Sequence, residues 1–424
     1  MRRNIRKRNS RSNNNNDFIN QNIIKYLSLF TLFLILLFIT IIVIHNSKNL
    51  ETSDSSKSNL ENLDKQNNIS SELIEEKIDT TFTMTAIGDV MCHNTQYWDA
   101  YNKETDSYDF SYVFDDISYY TKVADIAVGS LETSFAGKDR GYSNYPRFNS
   151  PDALAYDLKD IGIDVISTAG NHCLDMGFSG LSRTIDVLDD ADISHLGTYK
   201  TQEEQDKILY KYVKGLKLAF INYTYGTNGI PVPSDKSFCV NLIDKDLIQK
   251  HINIAKAEKA DVIVACMHWG TEYRTTPDST QTELADFLFQ NGVDIILGNH
   301  PHVLEPMEKR IVTLEDGTTK EGFVIYALGN FICDQNAENT RNSIILNLTI
   351  TKHSDNKITI DKAEYIPIYM YKHNNSSTKR MKLIDINKTI YNYENYIDTT
   401  ISESLYNLLN KQLTKIKNIV GEEI

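Results

Sequence analysis

Seven short aliphatic runs punctuate the chain between residues 82 and 331, each leading into polar residues. They are FTMTAIGD (82–89), VADIAVGSLE (123–132), IDVISTAGNH (163–172), LKLAFINYTYG (216–226), ADVIVACMHWG (260–270), VDIILGNHPH (293–302) and FVIYALGNF (323–331). Each is long enough for one buried strand. Amphipathic stretches alternate with them, which is the pattern of an α/β fold. Ser150, Pro151 and Gly162 bracket one predicted helix. Thr280 with Glu283 predicts a capping box for a second, which Gly292 stops. Residues 402–419 have the apolar spacing of a helix packed on the domain.

Upstream the texture differs. Residues 26–44, YLSLFTLFLILLFITIIVI, carry no charge in 19 positions. At a rise of about 1.5 Å per residue such a helix spans a hydrocarbon core roughly 30 Å thick. Residues 1–25 hold seven basic groups and one acid, and the positive-inside rule keeps that end in the cytoplasm. The run exceeds the roughly 7–15 residues of a signal-peptide core, and no small-x-small site follows it. The expected plan is a basic cytoplasmic tail (1–25), a single transmembrane anchor (26–44) and a polar linker (45–80). An extracellular domain (81–372) and a helical extension packed on it (373–424) complete it.

Composition adds two exclusions. With 41% hydrophobic and 24% charged residues the chain has the makings of a sizeable core. Its net charge is −13 despite the basic tail, so the body is acidic and nucleic acid is not an expected partner. Five widely spaced cysteines form no CxxC, which removes a zinc ribbon or redox pair; they read as buried thiols by default, with one or two disulfides of unassigned pairing open in an extracellular body.

The candidate chemistry sits directly after the aliphatic runs: Asp89, Glu132, Asn171 with His172, His268, and His300 with His302. In open α/β sheets ligands bind beyond the carboxyl ends of strands, where such groups converge. Two carboxylates, an amide oxygen and several imidazoles suit Mn, Zn or Fe, and the lack of thiolates favours a catalytic or binding centre. Gly88, Gly129, Gly170 and Gly298 precede these candidates, where tight turns and close backbone approach are needed. The stretch GYSNYPRFN (141–149) reads either as a packed connection or as a loop presenting Arg147 to an anionic substrate. Trp269 and Glu272 read as pocket-shaping residues.

Seven motifs in order carry a resemblance: TAIGDVMCHN, AVGSLETSFAG, GYSNYPRFNSPDAL, GIDVISTAGNHCLDMG, ACMHWGTEY, GNHPHVLEP and YALGNF. Over about residues 81–335 the chain resembles the CapA family of poly-γ-glutamate capsule biosynthesis proteins, with a calcineurin-like metallophosphoesterase fold. The resemblance implies a two-sheet α-β-β-α sandwich with one or two divalent ions at the sheet edge. It implies Asp89, Glu132, Asn171, His268, His300 and His302 as metal-site residues, and His172 as an acid oriented by Asp175. It further implies biosynthesis, processing or export of a polyglutamate-like anionic polymer, beside a membrane polymer-synthase complex. Two other readings stay open: a phosphoesterase acting on envelope phosphoesters, and a non-catalytic accessory of the synthase. The chain departs from the superfamily's Asp-x-His at Asp89-Val90-Met91, with His93 as the available substitute. Ser130 and Gly170 stand where Asn is usual, and Asn299 where a His is common.

Overall fold

The computed structural model describes residues 79–314, 316–373 and 381–424. The expected tail, the anchor at 26–44 and nearly all of the linker lie outside these residues. Among the described residues no helix is long and apolar enough to cross a membrane.

Sixteen strands follow one another along the described chain. They are β1 (Thr80–Val90), β2 (Tyr101–Asn102), β3 (Ser107–Tyr108), β4 (Ile126–Leu131), β5 (Val165–Ser167), β6 (Ser194–Leu196), β7 (Leu209–Val213) and β8 (Leu216–Thr224). Then come β9 (Val262–His268), β10 (Ile295–Asn299), β11 (Met307–Thr313), β12 (Thr319–Ile325), β13 (Asn330–Ile332), β14 (Asn342–Lys352), β15 (Ile358–Lys372) and β16 (Met381–Asp385). One sheet runs β16-β15-β14-β1-β4-β5-β6 with β13 also on β1, and the other β11-β12-β10-β9-β8-β7. Strands β1, β4, β5 and β6 are mutually parallel, as are β8, β9, β10 and β12. All seven aliphatic runs fall on parallel strands; the edge strands β16, β11 and β7 are antiparallel to their neighbours, and the edge strand β6 is parallel to β5.

Period-two alternation sorts the residues of each strand into layers. Phe82, Met84 and Val128 of the first sheet meet Leu218, Val264 and Ile295 of the second in a central core. Their neighbours point outward. Ala127 and Ile166 pack under Leu154, Leu158 and Leu188 of the helices Ala153–Asp160 and Gly177–Asp190. Ile263 and Ile296 pack under Ile248, Leu284 and Leu288 of the helices Lys245–Ala257 and Ser279–Gln290. The order is helices, sheet, sheet, helices.

Two helix starts differ from expectation. The first begins at Ala153, because Ser150 turns inward and its hydroxyl bonds Thr133 Oγ1 at 2.6 Å. The second is capped by Asp278, whose carboxylate accepts from Gln281 N at 3.0 Å, while Asp278 N donates back to the Gln281 amide oxygen at 2.9 Å. That reciprocal pair satisfies two orphan donors. Both stops fall where expected, at Gly162 and Gly292 with φ of 94° and 113°. Beyond Lys372 the chain first adds β16 to the edge of β15 and then forms two helices. The second, Glu403–Val420, is capped by Ser402 and joins the central core through Leu409, Ile416 and Val420.

Candidate metal centre

The two sheets bring their carboxyl ends to one place. Glycine makes this possible at two crossings: a Cβ on Gly88 would lie 1.9 Å from the Gly329 carbonyl oxygen, and one on Gly298 would lie 1.8 Å from that of Tyr326. Both obstacles are backbone, so neither position has room for a side chain. Asp89 N then reaches Gly329 O at 2.9 Å, and Leu328 N reaches Gly298 O at 3.0 Å.

Asp89 lies near the end of β1 in register with Ser130 and Asn330. Its carboxylate accepts from Ser130 Oγ at 2.8 Å and from the backbone N–H of His300 at 2.9 Å, a bond that joins the two sheets. Glu132 follows β4 and is fully buried, with both carboxylate oxygens lacking any hydrogen-bond partner. His268 ends β9; its Nε2 lies 3.8 Å from Glu132 Oε1, and its Nδ1 lies 3.9 Å from Asp89 Oδ1. His302 Nδ1 is 3.6 Å from Glu132 Oε2 and faces Asn330 Oδ1 at 3.1 Å. Ligand atoms of Glu132, His268 and His300 lie within 4.8 Å of one another, as do those of Asp89, Glu132 and His302. Glu132 belongs to both groups.

These separations fit a divalent ion. Two ligands bound at about 2.0–2.2 Å in tetrahedral geometry stand about 3.4 Å apart, a few tenths less than the distances here. Electrostatics points the same way. Burial pushes the Asp89 carboxyl up to about 6 and raises Glu132 well above its ordinary value, with nearby Asp89 adding to the effect on Glu132. Burial lowers the imidazoles too, His300 to about 3, His302 to about 4, and His268 well below its usual range. Each group resists its own charged form, and a cation would relieve the carboxylates while using the neutral imidazoles as donors. His268 Nδ1 and His300 Nδ1 are likewise buried without hydrogen-bond partners.

The histidine hairpin after β10 is a strained segment: His300 has φ 100° and His302 φ 61°. Such values are costly for residues with a Cβ and persist only where surrounding bonds impose them. Here those bonds are His300 N to Asp89 and Tyr273 N to Pro301 O at 2.8 Å.

Asn171 and His172 stand beside this centre. Asn171 Oδ1 accepts from His268 Nε2 at 2.9 Å. His172 Nδ1 donates to Asp175 Oδ2 at 2.8 Å, since a carboxylate only accepts. The same oxygen accepts from Phe148 N at 2.7 Å, and the Phe148 ring meets His172 edge-on at 4.8 Å. Arg147, one residue earlier, is exposed on that loop rather than part of the buried group. Met91 is buried in an apolar cluster with Phe148 and Cys333. His93 Nδ1 accepts from Asp334 N at 3.2 Å, so that nitrogen is committed elsewhere. All five cysteines are free thiols.

Several residues at the site carry little sequence signal. Asn228 contacts both Asn171 and His172 from the loop after β8. Its Asn-Gly pair marks a turn but no chemistry. Tyr225 packs its ring on His300 at 4.4 Å and Tyr273 on His302 at 6.0 Å, each about half exposed. Asn330, the last polar residue of the YALGNF motif, could have been flagged by its place at a strand start.

Known proteins resemble this chain. The capsule biosynthesis protein CapA of Bacillus anthracis is 28% identical over 283 residues, covering 64% of this chain and 65% of that protein. The PGA biosynthesis protein CapA of Bacillus subtilis (strain 168) is 30% identical over 214 residues, covering 48% and 51%. The chain thus spans less than two thirds of the length of either relative. Among solved structures it is similar to a 5'-nucleotidase precursor from Thermus thermophilus (16% identity, 69% of this chain, 55% of that chain, TM-score 0.41). It is also similar to the NAD nucleotidase NadN of Haemophilus influenzae (14% identity, 80% and 60%, TM-score 0.42). Residues 83–335, more than half of the chain and the stretch that builds the centre, match the family described as "Bacterial capsule synthesis protein PGA_cap", and the chain belongs to that family.

Proposed function

We propose that this chain carries a divalent-metal centre acting on an anionic, polyglutamate-like capsule polymer. Residues 26–44 would hold it at the membrane with the domain outside, beside a polymer-synthase complex. The observation that carries the metal reading is Glu132, whose two buried, unpartnered oxygens face two separate sets of donors. An unpaired buried carboxylate is expensive, and binding a cation removes the expense. Asp89, Glu132, Asn171, His268, His300 and His302 would hold one or two ions of Mn, Zn or Fe. When bound, such an ion supplies Lewis acidity and eases ionisation of water. The chain's own groups do the rest. His172, oriented through Nδ1 by Asp175, is poised in its doubly protonated form to hand a proton from Nε2 to a leaving group. Arg147, exposed on the loop anchored by Phe148, supplies a guanidinium suited to carboxylates.

The test combines binding and turnover. Purified full-length chain is titrated with Mn and Zn by calorimetry, then incubated with oligoglutamate and the products weighed by mass spectrometry. Saturable binding lost in His300→Ala, with shortened or transferred chains, supports the proposal. Native protein that binds neither ion sinks it. Phosphoester hydrolysis is a second reading, favoured by the His172–Asp175 pair adjoining the donors. Metal-dependent turnover of phosphodiesters or monoesters, abolished by His172→Ala and absent on oligoglutamate, would select it.

A further inference from the structure

The loop after β8 places one amide where two candidate functional side chains meet. Asn228 sits at φ 49°, in the left-handed region that Asn tolerates better than most residues. Its Oδ1 accepts from Asn171 Nδ2 at 3.1 Å, and the Tyr225 hydroxyl approaches that oxygen at 3.5 Å. An amide has one oxygen and one nitrogen, so committing the Asn171 nitrogen to Asn228 turns Asn171 Oδ1 toward His268. Only the oxygen can serve as a metal ligand. Asn228 therefore decides which end of Asn171 faces the donors.

The other end of the Asn228 amide meets His172. Its Nδ2 is 3.2 Å from Nε2 and 3.4 Å from Nδ1. A nitrogen nearly equidistant from both ring nitrogens lies over the imidazole face, off the in-plane axis of either one. The His172 ring is thus held from three sides: Asp175 in its plane, the Phe148 edge at 4.8 Å and 84°, and Asn228 over its face. None of the three occupies the in-plane direction of Nε2, along which a proton would leave.

We infer that Asn228 is a positioning residue that orients Asn171 as an oxygen donor and fixes the plane of His172, linking the metal centre to the candidate acid through one side chain. This rests on the metal-centre reading above. It goes further in making a loop residue, two positions past the end of the LKLAFINYTYG run, responsible for the geometry of both.

Two substitutions separate the roles without straining the backbone. Asn228→Gly removes the amide, and glycine accepts the positive φ. Asn228→Asp keeps an acceptor for Asn171 Nδ2 but loses the donor over His172. Mn and Zn affinity is measured by calorimetry on the full-length chain, with melting temperature in EDTA as the folding control. Asn228→Gly should weaken binding about 10–100-fold, the usual cost of losing a partner that orients a ligand. Asn228→Asp should restore affinity to the native level or above. On whichever substrate the native chain turns over, both variants should lower kcat more than they change KM. If Asn228→Gly binds metal as the native chain does, or Asn228→Asp fails to rescue it, the inference is overturned while the metal-centre reading stands. If the native chain binds no metal, both fall.

Discussion

Replacing Glu132 with Gln keeps its shape and removes its charge, which separates the cost of the side chain from its use. In the metal-free protein the carboxylate is buried, unpartnered and pushed upward by burial and by Asp89. Neutralising it should leave the metal-free melting temperature unchanged or raise it slightly. With metal the order reverses. A ligand present at about 100 times its Kd stabilises the folded state by about 2.7 kcal/mol, which is several degrees for a domain of this size. Glu132 lies 3.8 Å from His268 and 3.6 Å from His302 and belongs to both donor groups. Its loss should therefore weaken both, and the metal-induced rise should disappear. The assay is a melting curve in EDTA and in excess Mn or Zn, for native and Glu132→Gln chains side by side. A variant that keeps the native metal-induced rise, or that melts many degrees lower in EDTA, refutes the reasoning.

Three further expectations test other parts of the structure. His172→Ala and Asp175→Asn should each lower turnover by about 10²–10⁴-fold, the range for a lost general acid, with metal affinity measured by calorimetry changed far less. Gly298→Ala should destabilise by more than about 4 kcal/mol, because its Cβ would overlap the Tyr326 carbonyl at 1.8 Å; a soluble variant with a native urea midpoint would contradict this. His251, buried with its Nδ1 2.7 Å from the Tyr223 hydroxyl, is lowered by burial to about 4. Its neutral form is favoured by folding, so its contribution is complete above about pH 6.5 and fades as pH falls toward about 4, by on the order of 3 kcal/mol. Urea midpoints across that window should fall less steeply in His251→Gln.

Much of the centre is legible from one regularity. Asp89, Glu132 and His268 lie at or just past the ends of parallel strands. Parallel strands in one sheet end on the same side, so polar residues placed there must gather. His300 and His302 follow β10 by the same rule. The helix starts are less legible, because residue type nominates Ser150 and Thr280 as caps while the actual partners decide the roles. Ser150 bonds Thr133, and Asp278 pairs with Gln281.

The division between the two sources of information is physical. The order of apolar runs and their polar ends determined which strands would be buried and which groups would sit at their mouths, because period and burial are local properties. Family membership followed from the same motifs. Which of these groups come close enough to share an ion depends on how the two sheets are stacked, and no local pattern encodes that stacking. Only the tertiary structure made Glu132 common to two donor sets, left Met91 in an apolar cluster and drew Asn228 over His172. Asn228 came from a turn whose reach across the interface is set by the packing of β8 against the neighbouring sheet, a distance in space and not along the chain.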